Sequence, residues 1–159
     1  MIKIPEIKLF ISDVDGTLTD GGMYYTAEGE IMKKFNTRDA VGLRLLQERN
    51  IAVALITGED SDIVRTRANK LNIEHVYSGI TDKVTVLNQL CTELNIKAQQ
   101  VAYVGDDIND LEIMQNVGLS FAVSDAESII LDTATIKLSK AGGAGGVREA
   151  ANYVLENIV

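Results

Sequence analysis

Short apolar runs alternate with helix-like spacing along most of this chain, and that alternation restricts the fold more than any other feature. The strand-like runs are Ile7–Ser12, Ile51–Ile56, His75–Tyr77, Val101–Val104, Leu119–Ala122 and Thr135–Leu138. Helical spacing runs over Asp39–Arg49, Ser61–Leu71, Lys83–Leu94, Asn109–Asn116, Ser128–Thr133 and Val147–Asn157. Strands separated by helices return parallel, through right-handed crossovers. Ala52-Val53-Ala54-Leu55-Ile56 is apolar on both faces, as a strand covered on both sides should be. The expectation is an α/β fold: a Rossmann-like parallel sheet with helices on both faces. A length of 159 residues suits one domain over 1–159 with a sizeable core.

One segment breaks the rhythm. Between the first strand and first helix, about 21–35, Glu28-Gly29 sits between the β-prone residues Met23-Tyr24-Tyr25 and Ile31-Met32, with Phe35 beyond. That pattern predicts a β-hairpin after strand one. A two-stranded hairpin is not stable alone in water, so this one must pack on something. Two readings stand: it folds onto its own domain, or it pairs with copies from other subunits. Near the other end, Gly142-Gly143-Ala144-Gly145-Gly146, within a glycine-rich tail over about 141–146, reads as a flexible connector before a C-terminal helix.

Charge narrows the partners. A formal net charge of −8 argues against nucleic acid, which needs a basic face. No apolar run approaches the length of a membrane span, and no signal peptide is evident, so no membrane partner is expected and the cytoplasm is the default compartment. The single cysteine, Cys91, shares an apolar helical stripe with Leu87, Leu90 and Leu94, and a buried structural thiol is expected there. His75, the only histidine, has no partner constellation and reads as structural.

The chemistry gathers at strand ends, where open α/β sheets bind ligands. Asp13 and Asp15 follow strand one, and Gly16 then breaks the strand so that both carboxylates can face one space. Two close carboxylates repel and one pKa rises unless a cation lies between them. The pair therefore marks a divalent metal site, a nucleophile–acid pair, or both. Thr57-Gly58-Glu59 ends strand two, Gly105-Asp106-Asp107 ends strand four with Asp110 close behind, and Lys83 opens the helix after strand three. Alone, Asp106-Asp107 would be a helix cap, Thr57-Gly58 a turn and Lys83 a solvated lysine. Together they fit phosphoryl transfer through a carboxylate, with magnesium offsetting the charge of the phosphate dianion and Lys and Thr binding the transferred group.

These residues resemble the haloacid dehalogenase superfamily. Asp13, Asp15, Gly16 and Thr17 look like its first motif, Ile56-Thr57-Gly58 its second, Lys83 its third and Gly105-Asp106-Asp107-Ile108-Asn109-Asp110 its fourth, in the family's order. The resemblance implies Asp13 as nucleophile and Asp15 as general acid/base. It implies Mg²⁺ held by Asp13, the Asp15 backbone carbonyl and Asp106, and Thr57, Gly58 and Lys83 on the phosphoryl group. Asp107 and Asp110 would support the metal or orient Lys83. Only a hairpin occupies the place where many members insert a cap domain, so the chain looks capless. Phe35-Asn36-Thr37-Arg38-Asp39, Val101-Ala102-Tyr103-Val104-Gly105-Asp106-Asp107 and the glycine run ending in Val147-Arg148-Glu149 are similar to the phosphatases of phosphorylated 2-keto-3-deoxy sugar acids. That group implies a homotetramer through the hairpins, with a neighbouring subunit covering the open site and the glycine-rich tail able to approach a neighbour's site.

Within the group, 3-deoxy-manno-octulosonate 8-phosphate enzymes usually carry Thr-Gly-Arg at the second motif. Thr57-Gly58-Glu59 with Arg67 and Lys70 looks instead like phosphatases of deaminated or N-acylated neuraminate 9-phosphates. Arg67 and Lys70 would hold the sugar carboxylate and Glu59 the hydroxyls. The resemblance therefore implies a nonulosonate 9-phosphate phosphatase, with the octulosonate enzyme as the alternative. A non-catalytic oligomerisation module, as in capless domains fused to cytidylyltransferases, is the reading from another class; the intact acids of motifs one and four favour catalysis. A receiver-like signalling domain ranks last, because its phosphorylated Asp ends the third strand, where this chain has Tyr77-Ser78-Gly79.

Overall fold

A computed structural model describes residues 4–158. Six parallel strands form one sheet in the order β5-β4-β1-β6-β7-β8. They are β1 (Leu9–Ser12), β4 (Ala52–Ile56), β5 (His75–Tyr77), β6 (Val101–Gly105), β7 (Leu119–Ala122) and β8 (Ile136–Lys137). Between them run α1 (Thr37–Glu48), α2 (Asp62–Lys70), α3 (Lys83–Glu93), α4 (Leu111–Asn116) and α5 (Ser128–Thr133), with α6 (Gly146–Glu156) at the end. The chain builds outward from β1 to β4 and β5, then returns to β6 and builds the other way. The order thus reverses between β1 and β6, and the crevice above their carboxyl ends is where such a sheet accepts a ligand.

β1 lies in register with β4 on one side and β6 on the other, pairing Ile11 with Ala54 and Tyr103. Leu9, Phe10, Ile11, Leu55, Tyr103, Val104 and Phe121 are fully buried at the centre of this sheet. Each large apolar side chain removed from water contributes about 1.5–3 kcal/mol, so the strand ends are anchored firmly. Helices α1 and α6 pack together, and α3, α4 and α5 pack in series, giving the two helical layers expected from right-handed crossovers. Among the described residues, no helix is long and apolar enough to cross a membrane.

The hairpin comprises β2 (Thr19–Thr26) and β3 (Gly29–Phe35), joined through Ala27-Glu28. It starts two residues before the expected boundary. Its ladder carries register shifts between Thr19 and Met23 and between Tyr24 and Tyr25. Phe35 packs against the core, but Tyr25 is 62% exposed and Ile31 59%, and Met23, Tyr24 and Met32 are exposed as well. Folding onto its own domain is therefore not what this hairpin does with these five side chains.

Two further expectations fail. The glycine-rich segment is not a free connector. Gly142, Gly143, Gly145 and Gly146 are buried, and the Gly143 N–H donates to the Thr17 carbonyl at 3.0 Å. A Cβ at Gly142 would lie 1.8 Å from the Gly16 carbonyl oxygen, so backbone meets backbone here and only glycine fits. The segment braces the loop after β1 of its own chain. Asp39, buried on α1, secures the far side by accepting from the Arg148 N–H at 2.9 Å, at the start of α6. Cys91 is half-buried rather than buried, because its helix turns that edge toward solvent; burial still pushes its thiol up.

Candidate active site

Asp13 directly follows β1, and its N–H donates to the Val104 carbonyl at 3.0 Å, which ties it to β6. The chain then turns at Gly16, whose φ is +86°. A Cβ at Gly16 would lie 2.1 Å from Asp106 Oδ2, so a larger residue would force Asp106 out of the crevice. Thr17 closes the turn by donating its hydroxyl to Asp106 Oδ1 at 2.8 Å. The first and fourth motifs are thus joined by a side-chain contact across the crevice.

Lys83 enters from the other side. Asp82 caps α3 by accepting from the Thr85 N–H at 3.0 Å, which fixes where the helix begins and places Lys83 on its first turn. A cation there opposes the helix dipole. Carboxylates offset that cost: Lys83 Nζ donates to Asp13 Oδ1 and Asp110 Oδ1, both at 2.8 Å, and to the Tyr103 hydroxyl at 3.1 Å. Tyr103 also donates to Asp110 Oδ1. The other Asp110 oxygen accepts from the Asp106 and Asp107 N–H groups at 2.8 and 3.2 Å. Asp110 is therefore a buried clamp that sets both the lysine and the Asp106 backbone.

The charges do not balance. Asp13, Asp106 and Asp110 bring ligand oxygens within 4.8 Å of one another, and Lys83 supplies one positive charge among them. Burial pushes the Asp13 carboxyl well above the usual carboxylate range, and Asp110 adds to this more than Lys83 takes away. Burial likewise raises Asp106 to about 6. Burial alone would lower Lys83, but Asp13 and Asp110 outweigh it and hold its ammonium charged. Crowded hard oxygen donors with surplus negative charge fit a divalent cation such as Mg²⁺.

The structure divides the sequence-derived residues into groups. Asp13, Asp15, Thr57, Gly58, Glu59, Asp106 and Asp107 line one pocket of about 200 Å³ together with Asn109. Thr57 is buried at the end of β4, donates to Asp15 Oδ2 at 3.4 Å and accepts from the Glu59 N–H at 3.2 Å. Glu59 stands exposed at the rim. The Asp107 carboxylate is exposed, accepts from the Ile108 N–H and does not touch Lys83. Arg67 and Lys70 are elsewhere: they line a groove of about 550 Å³ between α2 and the hairpin, with Ile31, Met32 and Phe35. The Arg67 guanidinium sits 5.4 Å from the Phe35 ring centroid, and its buried Nε has no partner. One chain thus does not bring Arg67 and Lys70 to the pocket that holds Glu59. His75 lies half-buried in edge strand β5, away from the site.

The roles of three residues here escaped the sequence reading. Tyr103 gives no outward signal because a tyrosine inside an apolar run reads as core. Thr17 passes as a motif filler. Lys33 donates to Asp15 Oδ1 at 2.5 Å and to Glu30 Oε2 at 3.0 Å, with its side chain fully withdrawn from solvent. Its only sequence signal is parity: it falls between Ile31 and Phe35 on alternate positions of β3.

Comparison with known proteins places this geometry. The family model described as haloacid dehalogenase-like hydrolase matches residues 59–150. The 3-deoxy-D-manno-octulosonate 8-phosphate phosphatase of Yersinia pestis is 43% identical over 153 residues, covering 96% of this chain and 82% of that protein. The crystal structure of the Moraxella catarrhalis phosphatase of that substrate, in complex with magnesium ion, phosphate ion and KDO, has a TM-score of 0.93 at 37% identity, covering 98% of this chain and 89% of that one. The cobalt-bound form of the Haemophilus influenzae phosphatase has a TM-score of 0.94 at 39% identity, covering 96% and 90%. With the four motifs meeting at one crevice and relatives of this closeness along nearly its whole length, the chain belongs to the haloacid dehalogenase-like hydrolases.

Proposed function

We propose that this chain is a Mg²⁺-dependent phosphoric monoester hydrolase that removes the terminal phosphate of a 2-keto-3-deoxy sugar acid. The observation that carries this is the Asp13–Lys83–Asp110 cluster beside Asp106, in a chain 43% identical to a phosphatase of such a sugar acid. In this reading residues 1–159 form one phosphatase domain.

Asp13, Asp106 and the Asp15 backbone carbonyl would hold the metal, which neutralises the phosphate dianion and Asp13 together when bound. Asp13 attacks phosphorus, and the P–O bond to the sugar breaks with its electron pair on the leaving oxygen. Asp15 gives that oxygen a proton. Asp15 then takes a proton from water, whose oxygen attacks the aspartyl phosphate. The P–O bond to Asp13 breaks, inorganic phosphate leaves and Asp13 is restored. Lys83 and the Thr57 hydroxyl, with backbone at Gly58, stabilise the charge on the transferred group. Asp110 and Tyr103 hold Lys83 for that task.

The relatives' named substrate makes 3-deoxy-manno-octulosonate 8-phosphate the first reading. The second, a nonulosonate 9-phosphate, is favoured by Glu59 at the pocket rim, where a carboxylate suits sugar hydroxyls rather than a sugar carboxylate. A turnover panel of octulosonate 8-phosphate, deaminated neuraminate 9-phosphate and N-acetylneuraminate 9-phosphate separates them. We expect one of these esters to be preferred at least tenfold; uniformly weak rates on all three would remove the sugar-acid assignment. The exposed apolar hairpin supports assembly as a homotetramer through that element.

A further inference from the structure

Toward its base the hairpin changes from exposed apolar side chains to a buried charge. While Tyr24, Tyr25, Ile31 and Met32 face solvent, Lys33 turns inward from β3 and reaches the loop after β1. Its ammonium is the one cation touching Asp15 among the described residues, at 2.5 Å from Oδ1. Glu30 holds the same ammonium at 3.0 Å and in turn accepts from the Ser61 hydroxyl at 3.4 Å, just before α2. Three separate segments therefore fix one nitrogen. Burial alone would lower the Lys33 pKa, but Asp15 and Glu30 outweigh it, so the ammonium stays charged.

An aspartate carboxyl turns freely about its last torsion unless its oxygens are held. Lys33 takes one oxygen of Asp15 and leaves the other, Oδ2, directed toward Thr57 and the pocket. We propose that Lys33 is a positioning residue: it aims the Asp15 carboxyl at the leaving oxygen, so that the hairpin carries part of the proton-transfer apparatus. This rests on the phosphatase reading above.

The test exploits leaving groups. Sugar alkoxide is a poor leaving group and needs a proton as the P–O bond breaks, whereas p-nitrophenolate leaves without one. Positioned general acids contribute roughly 10²–10⁴-fold. For Lys33→Met we expect kcat/KM on octulosonate 8-phosphate to fall on the order of 10²-fold or more, and on p-nitrophenyl phosphate by less than about tenfold. Because kcat/KM ends at the first irreversible step, slow hydrolysis of the aspartyl phosphate does not enter either value. Equal losses on both esters would make Lys33 merely structural and overturn the proposal, as would no loss on either. Should Lys33→Met not fold, Lys33→Gln is measured in the same way. A crystal structure of the variant is read independently of activity: Asp15 Oδ2 should leave Thr57, and an Asp15 unmoved from its present position overturns the proposal. An unmodified enzyme inactive on both esters would overturn the phosphatase reading instead, with the crystallographic comparison still deciding the role of Lys33.

Discussion

At the carboxyl ends of β1 and β6, Asp13, Asp110, Tyr103 and Lys83 satisfy one another within hydrogen-bond reach and are almost wholly withdrawn from water. On the hairpin, Tyr24, Tyr25, Ile31 and Met32 are exposed large apolar side chains. Each region is incomplete in a different currency. The crevice has its geometry but lacks positive charge, so its complement is a cation. The hairpin has its hydrogen-bonded ladder but lacks apolar cover, so its complement is another surface. One region thus carries surplus charge and the other surplus apolar surface; the proposed tetramer would cover the second.

The largest effect is expected at Asp13, the proposed nucleophile. Asp13→Asn leaves the Lys83 contact nearly isosteric but removes the attacking oxygen, and phosphate release should fall roughly 10⁴-fold or more with the circular dichroism spectrum unchanged. Retained turnover would detach the crevice from the chemistry.

Next comes the missing charge. Asp106 keeps its proton to about pH 6 in the folded chain, against an ordinary value of 3.8. Between those values the metal-free fold binds more protons than the unfolded chain, so its stability should fall as pH rises through that window. Cation binding must displace this proton, so Mg²⁺ affinity should weaken as pH falls below about 6, by up to roughly tenfold per pH unit. Thermal melts across pH with Mg²⁺ and with EDTA measure both trends. A metal-free chain that gains stability from pH 4 to 6 would contradict the crowding of acids described here.

The hairpin is tested by mass. Tyr24→Glu with Met32→Glu should reduce the light-scattering mass from four chains to one while leaving the thermal melt of the sheet core nearly unchanged, because neither side chain packs on that core. A single-chain mass before substitution would end the tetramer reading. The smallest effect belongs to Tyr103→Phe. It deletes the hydroxyl between Lys83 and Asp110 and should cost about 1 kcal/mol in stability and less than about tenfold in kcat.

Periodicity alone determined the parallel sheet and the strand ends. Buried parallel strands must be apolar on both faces, which is a local property of the chain. The acids, Thr57 and Lys83 were legible for the same reason: polar residues directly after an apolar strand, or opening a helix, have few positions open to them. Tertiary structure alone decided what each residue touches. Gly142 and Gly143 looked like a linker, yet they let two backbones meet at Gly16 and Asp20, because absence of a side chain serves close approach as well as freedom. Arg67 and Lys70 lie on the helix that follows the rim residue Glu59 but line a different groove. Lys33 was invisible because its partners, Asp15 and Ser61's neighbour Glu30, meet it only after a strand, a turn and a hairpin have folded back on one another. Patterns of burial are written along the chain; pairings between charges depend on distances through space, and those exist only in the folded chain.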